Sequence, residues 1–200
     1  GTAWKEVQLK DIVKPLSRKN TIGNTNVLTS SAKHGLVSQT DYFNKSVAGV
    51  NTSGYYLLKR GEFAYNRSSA KGYPYGAIKR LDFYDEGVLS TLYLCFVLEN
   101  NSVVRSDFLA HLFEAGLLNR GLRAVCQQGA RAHGLLNITK ADFYGLKISI
   151  PLIEEQEAIE DLLNAQYEEI ALEQTKLEQL KQQKKGLMQQ LLTGKVRVEV

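Results

Sequence analysis

The amino-acid sequence predicts an α+β protein: a mixed, β-rich domain over residues 1–151, a long helix over residues 152–193, and a tail over residues 194–200. Three observations predict it. Up to Pro151, apolar residues come in short runs broken by Gly, Asn, Ser and Lys clusters, the pattern of strands joined by loops. From Ile153 to Leu192 there is no proline and only one glycine, Gly186, and good helix formers dominate. The charge divides at the same place. Residues 1–151 hold 19 Lys+Arg against 11 Asp+Glu, a net of +8, whereas residues 152–195 hold 5 Lys against 9 acids, a net of −4.

In chain order, strands are expected at 27–31, 55–59, 61–67, 76–81 and 88–98. An amphipathic helix is expected at 106–115, with Ser106 as its cap. A helical turn should begin at Thr139, before a strand in the segment LKISI. About 150 residues is a normal size for one hydrophobic core. Cys95 and Cys126 have no CxxC partner and read as buried thiols.

The region after Pro151 is different in kind. Forty residues of helix extend about 60 Å, too long to lie on a domain of this size as one surface element. Leu163, Ile170, Leu177 and Leu191 fall on one seven-residue series, and Ile159, Leu180 and Leu187 on a second, offset by four and three. Such a seam is covered in a coiled coil, although Gln166, Glu173 and Lys184 interrupt it. Eight acids from Glu154 to Glu173 precede the first lysine, and five lysines from Lys176 to Lys195 are opposed only by Glu178. Parallel pairing of two copies would set like charges together. Antiparallel pairing sets acid beside base, so an antiparallel homodimer is expected, in one register with Leu163 on Leu187 and Ile170 on Leu180.

Catalytic patterns are absent from the sequence. The three prolines are isolated, which excludes the Asn-Pro-Pro-aromatic loop of an adenine methyltransferase. Neither Asp-x-Lys nor Glu-x-Lys occurs, against a common metal-dependent nuclease core. Thr193-Gly194-Lys195 follows a helix rather than a strand and lacks the earlier glycine of a phosphate loop. His34, His111 and His133 are scattered without metal-ligand spacing, so neither metal nor cofactor is expected. No apolar run is long enough to cross a bilayer, and the expected location is cytoplasmic.

Four basic, glycine-containing segments remain: SSAKHG, NRSSAKGYPYG, LNRGLRAV and QQGARAHG. Each alone suits a solvated loop. Together, in a domain of net charge +8, they favour a polyanion such as DNA, whose phosphates attract Lys and Arg. The candidate contacts are Lys33, Arg67, Ser69, Lys71, Tyr73, Arg120, Arg123, Arg131 and His133. The candidate dimer seam is Ile159, Leu163, Ile170, Leu177, Leu180, Leu187 and Leu191.

Four stretches carry a family resemblance. WKEVQLKDI opens the domain, GEFAYNRSSAKGYPYGAI forms its centre, GARAHGLLNITKADFYGLKISIPLIEEQEAIEDLL leads into the helix, and LEQLKQQKKGLMQQLLTGKVRV closes it. These closely resemble one half of the specificity subunit of type I restriction–modification systems, which implies either a half-subunit that dimerises or a fragment of a longer chain. The resemblance implies a target-recognition domain reading one half of a bipartite site in double-stranded DNA, and a conserved helix serving as an antiparallel spacer. It also implies a non-catalytic role beside methyltransferase and restriction subunits. The competing class is a coiled-coil interaction protein without DNA affinity.

Overall fold

The computed structural model describes residues 4–31, 34–43, 51–100, 103–126 and 135–198. Its framework is a four-stranded antiparallel sheet in the order β2-β9-β6-β7, formed by Val13–Leu16, Leu94–Leu98, Phe63–Asn66 and Ala77–Arg80. Alternation in β6 and β9 explains why this sheet sits at the centre. Phe63 pairs with Phe96, and Ala64 with Cys95. Because successive side chains face opposite ways, each strand feeds two cores.

On one face Phe63 stacks on Phe96 at 5.4 Å, and Phe113 of α2 (Ser106–Glu114) meets Phe63 edge-on at 5.7 Å. Phe143 of α4 (Lys140–Tyr144) stacks on Tyr65 at 4.8 Å. On the other face Ala64 and Cys95 join Leu16, Leu28, Leu36, Leu58, Leu81 and Leu89. The smaller pairs β3–β4 (Leu28–Ser31, Gly35–Ser38) and β5–β8 (Tyr56–Lys59, Glu86–Leu89) supply much of this leucine layer. A short helix, α1 (Gln39–Phe43), follows β4. One buried charge lies between these strands. Arg18 grips Glu62 through two bonds of 3.1 and 2.8 Å, and Glu62 also accepts from the Lys59 amide at 2.7 Å. The Glu62 contact raises the Arg18 pKa.

β1 (Lys5–Gln8) pairs antiparallel with β10 (Lys147–Ile150), so the strand opening the domain lies beside the strand leaving it. Pro151 then leads into α5 (Ile153–Leu192). The first turn of α5 belongs to the domain. Gln156 is fully buried, accepts from the Arg105 amide at 2.9 Å, and donates to the carbonyls of Val103 (2.9 Å) and Pro151 (3.0 Å). The three bonds use both N–H donors and engage the oxygen, so neither polar atom of the buried amide is left without a partner.

The chain divides into two compact units, residues 1–157 and 158–200. In the second, the helix runs without a break to Leu192. Gly194 stops it at φ 70°, a left-handed conformation that only glycine adopts cheaply, and the Gly194 amide donates to the Leu191 carbonyl at 3.2 Å. The Val196 amide reaches back to Gln190 at 3.2 Å. Thr-Gly-Lys is therefore a helix stop.

Several expectations need correction. The run 88–98 is two strands, because Ser90 makes a turn there: its carbonyl accepts from the Tyr93 amide at 3.1 Å and its hydroxyl from the Leu92 amide at 3.3 Å. Ser106 is the first residue of α2 and not its cap. Arg105 occupies the cap position, and the Ser106 hydroxyl accepts from Arg80 at 2.8 Å. Residues expected as a loop, 118–125, contain α3 (Asn119–Val125). Gly121 hid this helix in the sequence. Leu146 packs against it: a Cβ at Gly121 would stand 2.9 Å from Leu146 Cδ2. Cys95 is buried, but Cys126, just after α3, is only half-buried. Thr139 does cap α4, its hydroxyl accepting from the Asp142 amide at 3.1 Å.

Candidate nucleic-acid interface

The largest basic segment fully described is the connection from β6 to β7, residues 66–76. Its shape follows from local bonds. The Asn66 side chain accepts from the Ser68 amide at 3.1 Å, starting the turn. Ala70 and Tyr73 then exchange both backbone bonds, at 3.1 and 2.9 Å, leaving Lys71 and Gly72 as the two residues of a tight apex. Gly72 has φ 85° and Gly76 φ 80°. At Gly76 any Cβ would stand 2.1 Å from the Asn66 carbonyl oxygen, so glycine is required there.

Three further ties hold the segment down. Arg67 donates to the carbonyls of Leu92 (3.0 Å) and Ile138 (3.4 Å), and its own carbonyl accepts from the Leu136 amide at 2.8 Å. The Tyr65 hydroxyl donates to the Tyr75 carbonyl at 2.6 Å, and burial raises the Tyr65 pKa so that it stays protonated. The Tyr73 hydroxyl donates to Glu114 at 2.9 Å and accepts from Lys79 at 3.0 Å, while Lys79 also pairs with Glu114. Burial pushes the Lys79 pKa down. The bonds to Glu114 and Tyr73 outweigh it, so the net shift is upward and the ammonium stays charged.

The candidate residues are thus not equivalent. Lys71 and Ser69 are exposed, Lys71 at the apex. Arg67 and Tyr73 are half-buried and bonded to the protein, where they shape the loop. Arg120 and Arg123 are exposed on α3, and the same helix borders the loop through a cleft of about 330 Å³ lined by Gly72, Tyr73, Glu114, Asn119 and Leu122. Arg120 lies on a different flank of α3, in a groove of about 710 Å³ with Trp4, Leu117 and Lys147. The structure therefore brings the loop to the start of α3, but does not gather all the basic residues at one point. Lys33, Arg131 and His133 lie outside the described residues. His34 is exposed beside Ser31, whose hydroxyl accepts from its amide at 3.2 Å.

Sequence reasoning missed Lys79 and Glu114. Lys79 lies in the strand expected at 76–81, and nothing local shows that Tyr73 and Glu114 converge on it. Among the described residues no group of His, Cys, Asp and Glu is placed to hold a metal ion, and no helix is long and apolar enough to cross a membrane.

On α5 the seam is open. Ile170, Leu177, Leu180 and Leu187 are each 51–57% exposed and Leu191 42%, while Ile159 and Leu163 are half-buried. Leu180, Leu187, Met188, Leu191 and Leu192 line one apolar hollow along the helix.

Comparison with known proteins assigns a context to this geometry. The family model of the type I restriction modification DNA specificity domain matches residues 2–182. A Methanocaldococcus jannaschii protein named as a type I restriction enzyme specificity subunit is 44% identical over 62 residues, 31% of this chain and 15% of the relative. The crystal structure of the HsdS subunit from Thermoanaerobacter tengcongensis shares the fold, with TM-score 0.63 and 18% identity over 94% of this chain and 48% of that one. A chain from a structural study of complex assembly and conformational transition of the type I R-M system matches with TM-score 0.59 and 16% identity, over 100% of this chain and 52% of its own. The chain spans about half the length of these two solved chains.

Proposed function

Because the chain belongs to the type I restriction modification DNA specificity domain family, we propose that it recognises one half of a bipartite DNA target and carries no catalytic activity itself. The residues 1–151 form the recognition domain, residues 152–193 the spacer helix, and residues 194–200 a tail. Lys71, Arg120 and Arg123, with Lys33 and Arg131, supply cations to phosphates and base edges; Ser69 and His133 add polar contacts. Arg67 and Tyr73 act chiefly by holding the loop that carries Lys71.

One observation carries the architecture: a forty-residue helix whose leucines at coiled-coil spacing stand about half exposed. A stripe of that kind calls for a partner helix. A second copy supplies it, antiparallel, so that the acidic first half of each helix faces the basic second half of the other. Two recognition domains are then held a fixed distance apart, and methyltransferase and restriction subunits act on the DNA so selected. Twofold symmetry in the protein demands an interrupted palindrome in the DNA. Mapping methylated adenines in DNA treated with the chain and its methyltransferase partner tests this reading directly. Two inverted half-sites with a constant gap are expected, and a single uninterrupted motif would overturn it.

A further inference from the structure

We propose that Tyr73, Lys79 and Glu114 form a positioning latch for DNA recognition, fixing the turn that presents Lys71 to the duplex. The inference rests on the reading of this domain as a DNA-binding module. Lys71 and Gly72 are the whole apex between the reciprocal bonds of Ala70 and Tyr73, so the base of the turn determines where Lys71 stands. Tyr73 is that base, and its hydroxyl is fixed from two sides, by Glu114 of α2 at 2.9 Å and by Lys79 of β7 at 3.0 Å. The Lys79 ammonium also lies 4.8 Å from the centre of the Tyr73 ring.

A lysine with 8% of its side chain exposed is too enclosed to meet DNA itself, and its charge is matched by Glu114. Burying an ammonium in a strand is unfavourable compared with an aliphatic side chain of similar size. What the ammonium does that leucine cannot is bond to oxygens on two different elements, which specifies where the loop sits against α2. A turn already fixed in place loses little further freedom when DNA binds, so the latch raises affinity by pre-organisation, without touching the nucleic acid.

The test uses the full chain in complex with its methyltransferase partner, and duplexes with and without the mapped site. Tyr73→Phe removes the hydroxyl and keeps the ring, so the fold is retained. Lys71→Ala should weaken site binding roughly tenfold and lower the salt dependence by about one phosphate contact. Tyr73→Phe should weaken it roughly fivefold in the unaltered chain and add nothing in the Lys71→Ala background, since the two act through one contact. A merely structural role would give the same loss in both backgrounds, and that result, or unchanged binding by Tyr73→Phe, overturns the latch alone. Absence of salt-dependent DNA binding by the unaltered complex would overturn the DNA reading and the latch together.

Discussion

The recognition domain and the helix beyond it solve the problem of apolar surface in opposite ways. In the domain, Phe63, Phe96, Tyr65 and Phe143 are completely buried, and even its charged Glu62 and Lys79 are enclosed with partners. Past residue 157, Ile170, Leu172, Leu177, Leu180 and Leu187 are all more than half exposed. The domain encloses a core of its own. The helix is stable in isolation only by propensity, and most helical stability in proteins comes from packing an apolar face. A chain so divided folds in one part and, on the proposed function, assembles through the other.

That comparison can be broken most directly at the seam. Leu180→Asp places a carboxylate in a core that, in a symmetric pair, receives the change twice. At roughly 3 kcal/mol per site, self-association should weaken at least a thousandfold, while the melting of the domain stays unchanged. Sedimentation and thermal unfolding together check both halves of the statement. If the domain melted earlier and the oligomeric state held, the division would be wrong.

The converse substitution is Arg18→Ala, inside the domain. It strips a buried Glu62 of its partner and should cost about 3 kcal/mol of domain stability, at the low end of such changes because Arg18 is itself partly exposed. Denaturant unfolding measures this, and sedimentation should show no change in association below the transition. Gln156→Leu is the next smaller effect. It removes the bonds to the Arg105 amide and to the carbonyls of Val103 and Pro151, for a loss of about 2 kcal/mol. Because Gln156 lies in the first turn of α5, loss of domain stability there would show that this turn belongs to the domain energetically as well as geometrically.

A separate prediction concerns pH. Burial pushes the Cys95 thiol up to about 12, from an ordinary value of 9.0. A group whose pKa is raised by folding contributes stability that is complete below its unfolded value and is lost as pH rises toward its folded one. The domain should therefore be most stable below about pH 9 and lose up to about 1.4 kcal/mol per pH unit above it from this group alone. The raised pKa values of Tyr65, Tyr144 and Lys79 act in the same direction at higher pH. In Cys95→Ala the first part of the alkaline decline, near pH 9 to 10, should flatten. Denaturation midpoints between pH 8 and 11 measure this slope.

The sequence by itself determined the long helix, from Ile153 to Leu192, together with the spacing of its leucines and its charge order. It also determined most strands and the cap at Thr139. These are local properties: a helix repeats every 3.6 residues and a strand every two, so the pattern is written along the chain. Tertiary structure alone decided which basic residues stand exposed and which hold the fold. Arg67 and Lys71 look alike as letters, yet one is bonded to carbonyls 25 and 71 residues away and the other crowns a turn. The same is true of Tyr73, which the sequence places among the DNA contacts until Lys79 and Glu114 are seen to meet at its hydroxyl. Side chains distant in sequence converge only once the sheet has formed, and no window along the chain contains that information.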